Sequence, residues 1–302
     1  MVDEKMDAVM AYPACQGGQA GFTPAVRWRS AGLRLAAGLV VAGAASAQPA
    51  TPSAARAEPQ PPCDKPVYLT FDTGHMGVAK LVADLLHKYQ IRATFFAANE
   101  KTLAGEGSLS PAWQAWWATL AKGGHEFASH TLNHTYWVKD LPGDRPVRFV
   151  VRPSQGPFAN RSFTWDEKQY CEEITAARDR LKAYTGKEPL ALYRAPGGKT
   201  SPRLLAAAER CGYKHVGWSP AGFLGDELPS DRYPNDKLLA KALKNIQPGD
   251  ILLAHLGIWS RQDPWAPAVL EPLIVDLRAK GFCFATLREH PDLRPWLRGK
   301  GQ

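Results

Sequence analysis

The feature that most constrains this 302-residue chain is an alternation running from Val67 to Thr286. Short apolar runs of strand character, at 67–71, 93–96, 125–128, 190–194, 213–218, 251–255 and 282–286, are separated by helix-like stretches. In the first of these Val78, Leu81, Val82, Leu85 and Leu86 recur at helical spacing. Further helices are predicted in the Trp-rich segment from Pro111 to Ala121, from Thr164 to about Tyr184, and onward from Pro202, Asp236 and Pro267. Strands that alternate with helices imply a parallel sheet, because each crossover returns the chain to the same end. Seven such strands without a Gly-rich phosphate loop favour an α/β fold, a distorted (β/α) barrel of about seven parallel strands in a single domain.

Two segments break the pattern. Residues 138–163 have no clear periodicity and contain Pro142, Pro146, Pro153 and Pro157, so they read as a long surface loop with room for a hairpin at 147–151. Loops of that length are more often functional than incidental. Thr164, three residues before Glu167, matches a capping box that would start the next helix.

The amino-terminal end has a different character. Arg27, Arg29 and Arg34 precede LAAGLVVAGAA, which ends in Ala45-Ser46-Ala47 before Gln48-Pro49. A basic flank, a short apolar core and an A-x-A site have the form of a secretory signal peptide over 1–47, too short in its core for a stable membrane span. The Pro/Ala-rich 48–62 reads as a flexible linker, and the folded domain is expected over 63–302. Export to the periplasm or the extracellular space is therefore expected, with no stable membrane span once the signal is removed. The chain has 37 basic and 29 acidic residues; subtracting the four basic and three acidic ones up to Ala47 leaves 33 and 26, a net +7. That balance suits an anionic polymer and is equally ordinary for a protein without a charged partner. No compact Lys/Arg run or nucleic-acid motif supports a DNA or RNA partner. Cys63, Cys171, Cys211 and Cys283 allow two disulfides in three connectivities, and a closed barrel would bring Cys63 near Cys283; buried free thiols are the alternative.

Polar groups of catalytic type sit where the strand-like runs end. Asp72 follows the first, Arg194 closes the fourth and His255 closes the sixth. His130 follows the third, with His134 four residues later, a spacing that on a helical turn puts two imidazoles on one side, ready to hold one metal ion. Each has a structural alternative: Asp72 as a helix cap, Arg194 in an ordinary salt bridge, His255 as a satisfied core histidine. Four independent strand ends sharing one face favour chemistry, since that face carries the active sites of barrels.

TFDTG at 70–74, SHTLNH at 129–134, RAPGG at 194–198 and LLAH at 252–255, in this order, resemble the motifs of the polysaccharide deacetylase family, the NodB-like carbohydrate esterases. GHEFASH at 124–130 adds to the likeness, which runs from about Val67 to Thr286. The resemblance implies a distorted (β/α) barrel and hydrolysis of N-acetyl groups on a glycan, peptidoglycan or exopolysaccharide, by metal-activated water. It implies Asp72 as general base, His255 as general acid, Arg194 pairing with Asp72, and His130 and His134 as ligands to one divalent metal, usually zinc.

The sequence departs from that pattern in three places. Thr73 stands where the family has a second aspartate, the third metal ligand. His75 is expected to complete the site in its place; water filling the gap, a shift of Asp72 onto the metal, or loss of the metal stay open. Ala221 occupies the expected acidic position of WSPAGFLGDE, which leaves Asp226 as the candidate for tuning His255. Gly197 stands where an aromatic residue is common. The alternatives to a deacetylase are a glycan-binding pseudoenzyme with an incomplete metal site and a metal-free cyclic-amide hydrolase. Trp137, Trp259 and Trp265 are candidates for stacking on sugar rings, and Trp218 for the core.

Overall fold

The computed structural model describes residues 63–143 and 145–302. The signal peptide and linker expected over 1–62 lie outside the described residues. In chain order the elements are β1 Pro66–Asp72, α1 Ala79–Lys88, β2 Thr94–Ala97, α2 Gln114–Lys122 and β3 Glu126–Ser129. There follow β4 Thr135–Asp140, β5 Arg148–Pro153, β6 Phe163–Asp166, α3 Glu167–Thr185, β7 Leu192–Tyr193, α4 Pro202–Arg210 and β8 Lys214–His215. The chain closes with α5 Asn235–Asn245, β9 Ile251–His255, α6 Leu270–Ala279, β10 Cys283–Ala285 and α7 Arg294–Gly299.

Seven strands form one sheet in the order β10-β1-β2-β3-β7-β8, with β9 also pairing with β1, and every pairing is parallel. The sheet curls into a half-barrel, the distorted (β/α) form that the alternation predicts. Between β8 and β9 the ladder is replaced by a looser seam: the Ser219 N–H donates to the Ile251 carbonyl at 3.0 Å, and Phe223 bridges Leu253. β1 is buried from Val67 to Asp72 because helices cover one face and the barrel interior the other, which is why it reads as an unbroken apolar run. Phe71, Phe95 and Phe127, from three adjacent strands, stack at 5.5 and 6.2 Å, with Trp117 of α2 edge-on to Phe95 and Phe127. Burying each such side chain is worth about 1.5–3 kcal/mol, so this column fixes the strands whose ends carry the site.

The 138–163 region is only partly loop: strands cover 138–140, 148–153 and 163, and the expected hairpin is built on β5. β4, β5 and β6 form a separate antiparallel sheet, with Phe149 and Val151 buried against Tyr170 and Ile174 of α3. Its strands are short and its prolines fall in turns or at the end of β5, so no period was long enough to read. The capping box also lies elsewhere. Thr164 pairs with Val150 inside β6, and Asp166 caps α3 instead, accepting the Gln169 N–H at 2.9 Å while the Gln169 side chain accepts the Asp166 N–H at 3.0 Å. The helix expected from Pro267 starts at Leu270.

Both disulfides form. Cys63 joins Cys283 of β10 across the register pair Pro66–Cys283, and Cys171 of α3 joins Cys211 at the end of α4. Among the described residues no helix is long and apolar enough to cross a membrane.

Candidate active site

Parallel register gathers the strand-end residues. Asp72 is the partner of His255 across β1 and β9, and of Phe96 across β1 and β2. Ser129 and Tyr193 are partners across β3 and β7, so His130 and Arg194 follow them side by side. All four lie at the carboxyl edge of the sheet, as their positions after apolar runs predict.

Asp72 and Arg194 are both buried, and the guanidinium Nη1 donates to Asp72 Oδ1 at 2.7 Å. Nε donates to the Val216 carbonyl at 3.1 Å, Nη2 to that of Gly217 at 2.9 Å, and the plane lies 4.1 Å over the Phe96 ring. Burial pushes the Asp72 carboxyl up, but Arg194, with His130 and His255, overrides it and holds the group below its ordinary range. The result is a desolvated carboxylate that stays ionised, with one oxygen fixed by the fork and the other turned to His130.

His130 and His134 face one another at 4.9 Å between ring centroids, but no helix brings them there. They lie on the loop between β3 and β4, where Thr131 and His134 adopt left-handed backbone conformations at φ 60° and 47°. Thr131 Oγ1 accepts the Thr135 N–H at 2.7 Å and closes the loop. Glu173 of α3, itself buried, accepts the Asn133 amide N–H at 3.1 Å and its side-chain NH2 at 2.5 Å. A glutamate on the core face of an otherwise amphipathic helix was the available signal for this anchor.

Hydrogen bonds set the tautomers. His130 Nδ1 faces the Arg194 carbonyl at 2.9 Å, and a carbonyl only accepts, so Nδ1 carries the proton. His134 Nδ1 lies 2.7 Å from Ser154 Oγ, whose own hydrogen goes to the His134 carbonyl at 3.2 Å. Each Nε2 thus faces inward as a lone pair. Burial lowers His134 to about 4, so its imidazole is neutral at pH 7. Ser154 directly follows β5 and Tyr136 of β4 lies edge-on to His134 at 5.0 Å, so the antiparallel sheet supplies walls of the site. Tyr136 also packs where a side chain at Gly197 would sit, within 2.9 Å of that Cβ position.

His255 is oriented by Asp226, on the stretch between β8 and α5. Oδ1 lies 3.0 Å from Nδ1, and Oδ2 accepts the His255 backbone N–H at 2.5 Å. Burial disfavours charge on this ring, yet the Asp226 carboxylate, aided by Asp72 and Glu227, raises it to about 10. Ala221, in the expected acidic position, lies in the 3-10 turn Pro220–Gly222.

Thr73 is buried and occupied: its hydroxyl accepts the Ala98 N–H at 3.0 Å, and its N–H donates to Phe96. His75 is not hydrogen-bonded to either histidine of the pair; its ring Nδ1 accepts the Gly77 N–H at 3.0 Å. The His75 ring instead turns toward the loop after β9, for the reason that Gly74 and Gly257 must meet there: the His75 N–H donates to the Gly257 carbonyl at 3.0 Å, and a Cβ on Gly74 would lie 2.0 Å from that oxygen.

The model of the family described as Polysaccharide deacetylase matches residues 60–216, just over half of the chain. The chain belongs to the polysaccharide deacetylase family. A peptidoglycan-N-acetylglucosamine deacetylase of Bacillus cereus is 27% identical over 230 residues, covering 75% of this chain and 88% of that one. The solved family 4 acetyl xylan esterase from Clostridium thermocellum, in complex with a cobalt ion, shares the fold at a TM-score of 0.55 and 22% identity, covering 76% of this chain and 92% of that one. A family 4 carbohydrate esterase pseudoenzyme from Bacillus anthracis does so at 0.54 and 17%, covering 75% and 65%. In this family member the matched segment takes in Asp72, His130, His134 and Arg194 and stops before Asp226 and His255. The residues present fit a divalent cation at two points. His130 Nε2 and Asp72 Oδ2 stand 3.4 Å apart, and because Nδ1 is turned to the Arg194 carbonyl, Nε2 is the ring atom on the side where a cation would be held. His134 presents the second lone pair; Thr73 presents no carboxylate.

Proposed function

We propose that this protein is an exported hydrolase that removes N-acetyl groups from a glycan, with peptidoglycan or exopolysaccharide as the substrate class. The observation that carries the proposal is the pairing, in direct register, of a carboxylate held by a guanidinium with an imidazole held by a carboxylate: Asp72 bound by Arg194 and His255 bound by Asp226. Amide hydrolysis needs one group to take a proton from water and another to give one to the departing nitrogen. Asp72 accepts the proton as the water oxygen bonds to the acetamide carbon. His255 delivers its proton to the sugar nitrogen as the C–N bond breaks, leaving acetate and a free amine. Arg194 keeps Asp72 charged and aimed throughout. His130 and His134 would hold a divalent metal, zinc by the preference of imidazole donors, and its chemistry is to polarise the carbonyl and make water more acidic.

The test is acetate release from N-acetylglucosamine oligomers by the purified protein with zinc or cobalt added, beside Asp72→Asn. Release that depends on Asp72 supports the proposal, and none from native protein with metal bound sinks it. A second reading, a glycan-binding pseudoenzyme, is favoured by one observation: the Thr73 hydroxyl leaves the metal site one carboxylate short. It is supported if native protein binds glycan without turnover and Thr73→Asp acquires activity.

A further inference from the structure

His75 and Trp259 share an arrangement that the catalytic residues do not use. The His75 ring sits between two glycines: a Cβ on Gly257 would lie 2.3 Å from its Cε1, and one on Gly77 would lie 2.8 Å away. Gly257, at φ +105°, adopts a conformation that other residues rarely reach, so the backbone there is shaped to admit the ring. His75 Nδ1 accepts the Gly77 N–H at 3.0 Å, which in the neutral ring puts the proton on Nε2. This is the opposite tautomer to that of His130 and His134, and it offers a donor where a metal ligand would offer a lone pair.

The other contact of the ring is with Trp259, edge-to-face at 5.1 Å. Trp259 is 55% exposed, whereas Trp117 and Trp265 are buried and the indole N–H of Trp137 is tied to Asp140 at 3.0 Å. Leu103, 61% exposed, joins the same corner: its N–H donates to the His75 carbonyl at 3.0 Å, and its Cδ1 lies 2.6 Å from a Cβ position on Gly77. Exposed apolar side chains that adjoin one support, here the His75 ring and its backbone, mark a binding surface more often than ones scattered singly. This one is continuous with the site, since the loops that carry it begin at Asp72 and His255.

We infer that Trp259, braced by His75 and flanked by Leu103, is a stacking platform for a pyranose ring of the same glycan whose acetamide enters the cleft. The inference rests on the deacetylase reading for the identity of that glycan. An indole face matches the C–H face of a pyranose, and the His75 ring, edge-to-face with the indole, holds that face in place. His75 is thereby a positioning residue and Trp259 the binding residue.

The experiment is calorimetric titration of the full chain, stripped of metal with a chelator, with a β-1,4-linked N-acetylglucosamine pentamer. Native protein is compared with Trp259→Ala and Trp259→Phe, and tryptophan fluorescence is followed in parallel. Loss of one aromatic contact of about 0.5–1.5 kcal/mol weakens binding by up to about tenfold in Trp259→Ala. Trp259→Phe retains most of the affinity, and the ligand-induced fluorescence change disappears in both variants. Equal affinity in native protein and Trp259→Ala, or no binding of the pentamer by native protein, overturns the platform. Binding that depends on Trp259 without acetate release on metal addition leaves the platform standing and removes the enzymatic reading.

Discussion

Asp226 and His255, 29 residues apart in sequence, form a two-point contact in which one carboxylate holds both the ring Nδ1 and the backbone N–H of the histidine. The backbone bond fixes where the ring starts, and the side-chain bond fixes which nitrogen faces the cleft.

That contact gives a pH signature. Folding raises His255 from 6.5 to about 10, burial opposing and Asp226 prevailing. The stability it contributes is fully present below pH 6.5 and is lost as the pH rises through about 10. As the general acid His255 also has to be protonated, so kcat/KM should fall on an alkaline limb near pH 10, and Asp226→Asn should move that limb to lower pH. Melting curves and rate profiles between pH 6 and 11 check both; a limb unmoved in Asp226→Asn removes the pairing from the mechanism.

Arg194→Met leaves Asp72 a buried carboxylate without its partner. Such a break costs about 3–5 kcal/mol, read from urea unfolding. The double variant Asp72→Asn with Arg194→Met should regain part of that loss, whereas Asp72→Asn alone should lower kcat/KM by about 100- to 10,000-fold, the usual weight of a general base.

Metal affinity should answer to Thr73 and not to His75. Elemental analysis after dialysis against zinc should show more bound metal in Thr73→Asp than in native protein, the same amount in His75→Ala, and none in His130→Ala. Loss of metal in His75→Ala would reinstate that histidine as a ligand.

Glu173→Ala removes the buried anchor of the loop that carries His130 and His134, leaving the Asn133 donors without a partner. The expected cost is about 1–3 kcal/mol, with weaker cobalt binding in a spectroscopic titration. Unaltered cobalt affinity would mean that the loop holds its shape without α3.

The Cys63–Cys283 bridge spans 220 residues and ties the start of β1 to β10. Replacing both cysteines by serine should lower stability by about 2–5 kcal/mol in equilibrium unfolding, without altering the rate of acetate release per folded molecule.

The sequence by itself determined the parallel strand–helix order, because buried strands between amphipathic helices leave continuous apolar runs that mark their own ends. It also marked Asp72, His130, Arg194 and His255 as candidates, since each follows or closes such a run, and His134 by its spacing from His130. Tertiary structure decided what those residues face. The antiparallel sheet of β4 to β6 is hidden because its strands are short and separated by proline-containing turns, so their inward faces show no lasting period. The histidine pair was read as helical from its spacing, yet the geometry comes from a left-handed loop pinned by Glu173, a contact 40 residues away. Asp226 and Ser154 were brought to their histidines by loops whose paths no local pattern encodes. His75 shows the same limit: imidazole chemistry allowed it to be a ligand, and only the packing of Gly77 and Gly257 around the ring decided which nitrogen carries its proton. Strand ends are specified by local composition, whereas the partner of a polar side chain depends on register and loop closure, which are properties of the whole barrel.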